Sequence, residues 1–189
     1  MMKTKLLAAV LAVGMSASSF AADTYVLDSA HTYPTFEINH LGYSTTRGRF
    51  DKTEGKIMLD MAARTGSLDA TIYTGSLSTG FDKRDAHVKS EDFFNVEKFP
   101  TVAVKANKFV FNGDVLVAAE GTLTILGVTK PVKLDVSNFK CGAHPMSKKA
   151  MCGAEVRTTI KRSDFGMTTF LPAIGDEVKI MVQVEAAKS

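Results

Sequence analysis

HTYPTFEINHLGYSTTRGRF, residues 31–50, is the stretch of sequence that predicts the fold. Phe36, Ile38 and His40 share one parity in it, and polar residues alternate with them. A period of two residues is typical of a β-strand that buries one face and exposes the other. Residues 41–44, LGYS, then interrupt the alternation before extended chain resumes. A strand, a short turn and a returning strand predict the rim of a barrel, with the turn as a cap over its mouth.

Residues 1–21 predict a secretory signal peptide. Two lysines precede the apolar run Leu6–Val13, and small residues follow at the positions that a signal peptidase reads. Cleavage is expected after Ala21, with cleavage after Ala22 as the alternative. The rest of the chain, residues 22–189, has the size of one domain and contains no later apolar run long enough to span a membrane. The mature protein is therefore expected to be exported and soluble.

The charge balance argues against a nucleic acid as partner. The formal net charge of the whole chain is +3, and two of the positive charges belong to the predicted signal peptide. Acidic and basic residues are interspersed, without a basic run or stripe. Nucleic acids and strongly anionic surfaces select proteins with concentrated positive charge, so neither is expected to bind here.

Alternating segments continue to the end of the chain and predict eight or nine strands. Near Asn107 and Lys108 the inward parity changes, which predicts a β-bulge. Residues 82–94 do not alternate, and Asp85 and Lys89 form an acid–base pair four residues apart. A short helical insert is therefore predicted near residues 82–94. The predicted fold class is all-β, an antiparallel barrel of about eight strands with that insert.

The interior of the predicted barrel has two interpretations. A barrel of about eight strands is either filled by its own side chains or holds one small ligand. Tryptophan is absent and many inward positions are small, which favours an apolar cavity. A core filled by phenylalanine is the alternative, and alternation alone does not choose between the two. The small inward residues are Ala70, Ala106, Ala119, Gly121, Ala154 and Thr158.

Cys141 and Cys152 are the two cysteines of the chain, and both follow the signal peptide. A cysteine pair in an exported protein predicts a disulfide, which over so short a loop stabilises a fold by at most ~3 kcal/mol in the chain-entropy model. A copper site is one alternative, because His144, Met146 and Met151 add soft ligands nearby. A free-thiol or redox role is another. The disulfide is the prediction, and no metal site is expected.

Recognisable catalytic motifs are absent from the sequence. His40 lies on the inward parity of its strand, where a structural histidine is the commoner case. Arg84 and His87 belong to a charged segment typical of a solvated helix face, with contact to a ligand headgroup as the alternative. His31 beside Asp28 is interpreted as a capping pair near a strand end. The residues do not predict an enzyme, and no catalytic residue is assigned.

Several motifs, each modest alone, are specific in their order and spacing. They are Asp28–His31, Phe36–Ser44 with Gly48 and Phe50, Arg84–Asn95, Lys98–Pro100, Gly121–Thr124, Gly127–Val132, Arg162–Met167 and Ile174–Val178. Over essentially the whole mature length these motifs resemble the YceI-like family of bacterial periplasmic proteins. The loop between the two cysteines is a departure from the family pattern.

The resemblance implies a lipocalin-like barrel that binds a long-chain isoprenoid lipid, such as a polyprenyl phosphate or an isoprenoid quinone like ubiquinone. It also implies a periplasmic location, a capacity to form homodimers and a role in lipid transport or stress adaptation. No catalytic activity and no cofactor other than the bound lipid are implied. A lipid carrier is further expected to contact a membrane or a membrane protein transiently during lipid exchange. The alternative is an enzyme acting on a related amphiphile, with His40 or His87 as the acid–base group.

The expected lipid-binding residues combine inward apolar side chains with three polar candidates for the headgroup, Arg84, His87 and His40. The full expected set is Phe36, Ile38, His40, Leu41, Tyr43, Phe50, Leu68, Ile72, Arg84, His87, Phe93, Phe94, Val104, Leu123, Leu134, Val156, Phe165 and Met167.

Overall fold

A computed structural model describes residues 22–189, and the predicted signal peptide lies outside the described residues. Within them, one α-helix, α1, spans Asp82–Lys89, and short 3-10 helices span Thr74–Ser76 and Arg162–Phe165. Strands make up most of the remainder. They are β1 (Asp23–Leu27), β2 (Tyr33–His40), β3 (Ser44–Phe50), β4 (Thr53–Asp60), β5 (Thr65–Tyr73), β6 (Leu77–Ser78), β7 (Thr101–Asn112), β8 (Val115–Ile125), β9 (Val128–Ala143), β10 (Ala150–Lys161) and β11 (Ile174–Lys188).

Antiparallel pairing closes these strands into a barrel. One edge of β11 pairs with β10, while the other edge pairs with β2 through residues 174–183 and with β1 through residues 186–188. β1 and β2 are therefore two halves of one interrupted strand. β3 and β4 form the next interrupted strand, because they pair with β2 and β1 respectively. β5 and β6 form a third interrupted strand, because they pair with β4 and β3 respectively. With β7 to β11 completing the ring, the described chain forms an eight-stranded closed barrel, which confirms the predicted fold class.

The connections between strands lie at two opposite ends of the barrel, as the alternation of strand direction requires. Residues 61–64, 113–114 and 144–149 connect strands at one end, which we call the closed end. The other end, which we call the mouth, carries the tight β8–β9 turn at residues 126–127 and three longer segments: residues 41–43, residues 79–100 with α1, and residues 162–173.

Inward and outward faces follow the parity that the sequence predicts. Phe36 pairs across the sheet with Gly48, and its ring lies where a side chain at Gly48 would be: an added Cβ would come within 2.5 Å of it. The register between β7 and β8 shifts between Ala106 and Lys108, which confirms the predicted bulge. The bulge turns Phe109 inward, so the faces are reset midway along β7.

The helical insert predicted near residues 82–94 is present, with α1 followed by turns up to Phe94. α1 buries none of its own residues. The segment is anchored instead by Phe93 and Phe94, which pack against the barrel core. Phe94 meets the ring of Phe50 edge to face at 5.4 Å, a favourable geometry for two aromatic rings. The anchored insert therefore covers part of the mouth.

Two buried clusters form the core. One lies at the closed end and contains Tyr25, Leu27, Leu59, Ala70, Cys152 and Ala186. The other lies along the opposite wall and reaches the mouth; it contains Val102, Ala106, Ala119, Leu123, Ile125, Val132, Leu134, Phe165 and Met167.

Cys141 and Cys152 form a disulfide, as predicted. They are directly opposite each other on β9 and β10, close to the closed end. Both thiols are used in the bond, so neither serves as a thiolate ligand for copper in this form. No helix within residues 22–189 is long and apolar enough to cross a membrane.

Candidate functional site

An apolar cavity of about 390 Å³ lies inside the barrel. Its volume is within the range of ~300–1,000 Å³ that is typical of small-molecule sites. Ala70, Ala119, Ala154 and Thr158 line it, so the small inward residues leave space that larger side chains would fill. The interior of the barrel is therefore an apolar cavity and not a core filled by phenylalanine side chains.

Two of the small inward residues have a different role. Ala106 and Gly121 face each other on β7 and β8 and do not line the cavity. A Cβ at Gly121 would lie only 1.9 Å from the carbonyl oxygen of Lys105, so glycine is required for the two strands to approach this closely.

At the closed end the cavity is sealed by packed side chains. Tyr25, Leu27 and Leu59 are buried there, and Phe109 and Phe139 complete the lining. The disulfide adds Cys152 to the same wall.

At the mouth, by contrast, several lining residues are exposed to solvent. His40 and His87 are exposed, and Phe170 is 55% exposed, although all three line the cavity. The inward side chains of Ile38 and Val178 are only half-buried, because they lie near this end of the barrel. The cavity therefore opens to solvent at this end.

Arg84 brings a guanidinium group to the mouth. Its Nε donates to Thr79 Oγ1 at 2.8 Å and its Nη2 donates to the Thr79 carbonyl at 2.8 Å. Asp85 orders the same segment, because its Oδ1 accepts from the backbone N–H of Thr79 at 2.8 Å. No salt bridge joins Arg84 to a carboxylate within residues 22–189. The guanidinium is positioned by neutral groups and keeps its charge available to a ligand.

His87 lies beside Arg84 on α1 and contacts both polar and aromatic groups. Its Nε2 is 3.2 Å from Asp92 Oδ2. Its ring packs edge to face on Phe93 at 5.2 Å and on Phe170 at 5.9 Å between centroids. The imidazole therefore links α1 to the segment between β10 and β11 across the cavity opening.

Arg162 is a cavity-lining residue that sequence reasoning missed. It is only 3% exposed, and it donates to the backbone carbonyls of Gly175 at 2.8 Å, Met167 at 2.9 Å and Ile174 at 3.0 Å. Burial lowers the pKa of the guanidinium, and the nearby Asp176 carboxylate partly offsets this. The side chain fastens the mouth segment to the barrel. Its motif, Arg162–Met167, was visible in the sequence, but its carbonyl partners were not.

Hydrogen bonds from Ser163 hold the Asp176 carboxylate beside Arg162, where the mouth segment meets the start of β11. The backbone N–H of Ser163 donates to Asp176 Oδ1 at 2.9 Å, and its hydroxyl donates to Oδ2 at 2.8 Å. The backbone hydrogen bond is the main cause that lowers the pKa of Asp176. The start of β11 is therefore joined to the 3-10 helix that follows β10.

Most of the expected lipid-binding residues lie on the cavity wall, but two do not. Leu41 is 50% exposed and Tyr43 is 92% exposed, and neither lines the cavity. These two lie outside the cavity wall, because positive φ angles of 57° at Leu41 and 75° at Gly42 turn the chain outward, and their contact with a lipid stays a prediction. The sixteen that line it are Phe36, Ile38, His40, Phe50, Leu68, Ile72, Arg84, His87, Phe93, Phe94, Val104, Leu123, Leu134, Val156, Phe165 and Met167.

Further lining residues have the same inward parity as the expected ones. They were missed because alternation marks every inward residue alike and does not show which of them border the cavity. Besides those already named, they include Ile57, Val102, Ile125, Val132, Val136, Ile160, Ile174, Ile180, Val182 and Val184.

The one group of three or more potential metal ligands in the described part of the chain lies away from the cavity. Asp28, His31 and Glu185 place ligand atoms within 4.8 Å of one another. His31 Nδ1 is 2.8 Å from Asp28 Oδ2, and this contact raises the pKa of His31 and lowers that of Asp28. The Asp28 Oδ1 also accepts from the N–H of Ala30 at 2.9 Å, so the pair caps the turn between β1 and β2.

The fold and the site define a class of protein: closed antiparallel barrels of eight strands around an apolar ligand cavity that opens at one end. A family model described as the YceI-like domain matches residues 25–186. The chain belongs to the YceI-like family, which confirms the resemblance found in its motifs.

Relatives and solved structures agree with this membership. Protein YceI of Salmonella arizonae is 35% identical over 191 residues, with 99% of each chain covered. BcnA of Burkholderia cenocepacia has the same fold with a TM-score of 0.73 at 23% identity, covering 84% of this chain and 98% of its own. A polyisoprenoid binding domain from Saccharophagus degradans matches with a TM-score of 0.67 at 17% identity, covering 90% of this chain and all of its own. At these identities the two structures demonstrate the fold alone.

Proposed function

We propose that the protein binds a long-chain isoprenoid lipid, a polyprenyl phosphate or an isoprenoid quinone such as ubiquinone, inside the barrel. The observation that carries the proposal is the apolar cavity, which opens to solvent at the mouth beside Arg84, His87 and His40. Its walls are mainly aliphatic and aromatic, with threonines interspersed, so a hydrocarbon chain would meet apolar side chains along most of its length. The name of the Saccharophagus degradans domain indicates the same ligand class for that protein.

The energetics favour a long tail. Burial of each CH₂ group contributes about 0.8 kcal/mol, so a prenyl chain needs few polar contacts for tight binding. Polar contacts for a headgroup lie at the mouth, where Arg84, His87 and His40 line the opening. The wall adds threonine hydroxyls, of which Thr53 Oγ1 is buried without a hydrogen-bond partner among residues 22–189. We assign the tail to the barrel interior and the headgroup to the three residues at the mouth.

We further propose that the mature domain, residues 22–189, acts as a carrier in the periplasm. The predicted signal peptide supports export, and a structural disulfide suits an oxidising compartment. The carrier would exchange its lipid with a membrane or membrane protein and would support stress adaptation through that supply. Homodimerisation stays a prediction from the family resemblance, to be checked by sedimentation. The proposal assigns no catalytic step and no cofactor besides the lipid.

The test is to purify the exported protein, extract it with organic solvent and identify the extracted compounds by mass spectrometry. A prenyl compound at near-stoichiometric amount is the expected result. Preparations that are repeatedly empty, and that do not take up added prenyl phosphate or quinone, would contradict the proposal.

A cavity-filling variant makes the test specific to the site. Ala154→Phe places a large side chain inside the cavity from β10, and we expect bound lipid to fall at least about tenfold because the space is lost. Thr159→Phe adds the same side chain on the outer face of β10 and is the matched control. Val182→Phe fills the cavity from β11 and gives a second measurement if Ala154→Phe does not fold. Equal lipid content in all variants would exclude the cavity as the site.

A further inference from the structure

Large hydrophobic side chains are exposed around the mouth. Leu41 is 50% exposed, Tyr43 92%, Phe81 55% and Phe170 55%. They come from all three of the longer segments at the mouth. Single exposed hydrophobic residues are ordinary on protein surfaces, but residues from separate segments that meet at one place indicate an interaction site.

Contacts connect the three segments that carry these residues. The backbone N–H of Leu41 donates to the carbonyl of Ala173 at 3.0 Å, which joins the β2–β3 turn to the segment that carries Phe170. Phe170 packs on His87 of α1, and the chain enters α1 through Phe81, whose ring lies 5.9 Å from the Arg84 guanidinium. We call Leu41, Tyr43, Phe81 and Phe170 the mouth patch.

The backbone at two of these positions supports a function beyond folding. Leu41 has φ 57° and Phe170 has φ 63°. A left-handed conformation is costly for large side chains, and glycine or asparagine would adopt it at lower cost. Leu41 is half exposed, and Phe170 stays 55% exposed although its ring packs on His87 and Phe93. Backbone strain combined with exposed apolar surface at the same residues points to a partner that covers them.

The charges around the patch favour an apolar partner over a strongly charged one. Asp82, Lys83, Arg84 and Asp85, which follow Phe81, carry two negative and two positive charges, so no strong field of one sign surrounds this part of the patch. Tyrosine accumulates where proteins meet the interface of a bilayer, and phenylalanine and leucine are typical of the apolar faces that lie in it. The patch is also continuous with the cavity, because Phe170 belongs to both. A bilayer against it would let a lipid pass into the barrel without crossing water.

We propose that the mouth patch docks on the surface of a lipid bilayer and aligns the cavity opening with the lipid phase. The proposal rests on the proposed lipid-binding function, since it identifies where the ligand enters. Association would be weak and reversible, because a few side chains bury little apolar area.

The experiment is co-flotation of the full-length mature protein with phosphatidylcholine vesicles. The test variant is Leu41→Ser with Tyr43→Ser, two residues outside the cavity lining. The matched control is Val115→Ser with Met146→Ser, which removes side chains that are 50% and 83% exposed at the closed end. We expect the vesicle-bound fraction to fall roughly tenfold for the mouth variant and to stay unchanged for the control.

Two further measurements make the result decisive. Transfer of a fluorescent prenyl lipid from vesicles to the protein should be slower for the mouth variant. The equilibrium affinity of the mouth variant for the same lipid, measured without vesicles, should equal that of the unmodified protein. If the unmodified protein does not bind the prenyl lipid in the absence of vesicles, the proposed lipid-binding function itself is refuted. Docking is overturned if the unmodified protein does not float, if the mouth variant floats equally well, or if binding requires anionic phosphatidylglycerol. Conversion of a dimer to a monomer by the mouth variant, with unchanged flotation, would assign the patch to a second copy of the chain.

Discussion

The closed end and the mouth of this barrel are built from the same kind of strand but in opposite ways. At the closed end Tyr25, Leu27 and Leu59 are buried, and a disulfide joins β9 to β10. At the mouth, inward residues such as Ile38 are half-exposed, and polar groups line the cavity. The difference suggests that one end supplies stability, which leaves the other free to admit a ligand. Each prediction below tests that division.

The largest expected effect is on stability and compares two substitutions that each remove three carbon atoms. Leu59→Ala at the closed end should lower the free energy of unfolding by about 2–5 kcal/mol, because it opens a void in a packed cluster. Ile38→Ala should lower it by less than half as much, because Ile38 is already half-exposed, whereas Leu59 is only 3% exposed. Urea denaturation of lipid-free protein measures both. Equal losses would show that the two ends are equally packed.

A smaller effect is expected from removal of the disulfide. The Cys141→Ser and Cys152→Ser double variant should lose about 2–3 kcal/mol, because its unfolded chain is no longer constrained. Amide hydrogen exchange should accelerate at the closed end of β9 and β10 and stay unchanged in α1. Reductant added to the unmodified protein should reproduce the loss, whereas reductant added to the variant should have no effect. Faster exchange at the mouth would contradict the division between the ends.

The strands of the barrel wall were the more predictable part of the molecule. Strand parity is a local property, so the alternation of Leu68, Ala70 and Ile72 was enough to place these side chains on the cavity wall. The bulge near Asn107 was visible for the same reason, because the inward parity changes there within one strand. Whether the enclosed space is filled depends on the volumes of all inward side chains together, and alternation does not measure that sum.

The mouth was less predictable because its geometry depends on contacts between distant segments. Leu41 and Tyr43 continue the sequence of a wall strand, yet the positive φ angles at Leu41 and Gly42 turn them outward. Arg162 belongs to a visible motif, but its role depends on three carbonyls that only the folded mouth segment brings together. Charge and pattern alone therefore identified the polar candidates Arg84 and His87 without showing what holds them.

The smallest effect is expected at the turn where β1 of the closed end passes into β2 of the mouth. The Asp28 carboxylate raises the pKa of His31 above 6.5, and the His31 ring lowers the pKa of Asp28 below 3.8. A raised histidine pKa stabilises the fold below pH 6.5, and this contribution is lost as the pH rises through the His31 pKa. A lowered aspartate pKa stabilises it above pH 3.8, and that contribution is lost as the pH falls through the Asp28 pKa.

Asp28→Asn tests this pair, because asparagine can still accept the hydrogen bond from Ala30 while it removes the charge. The stability difference from the unmodified protein should be greatest between pH 3.8 and 6.5, where both groups are charged, and should decrease on either side. It should be smaller than for the disulfide, because both side chains are exposed and solvent screens their attraction. NMR titration should show a lower His31 pKa in the variant. An unchanged pKa, or a stability difference independent of pH, would mean that the turn joins the two ends through backbone contacts alone.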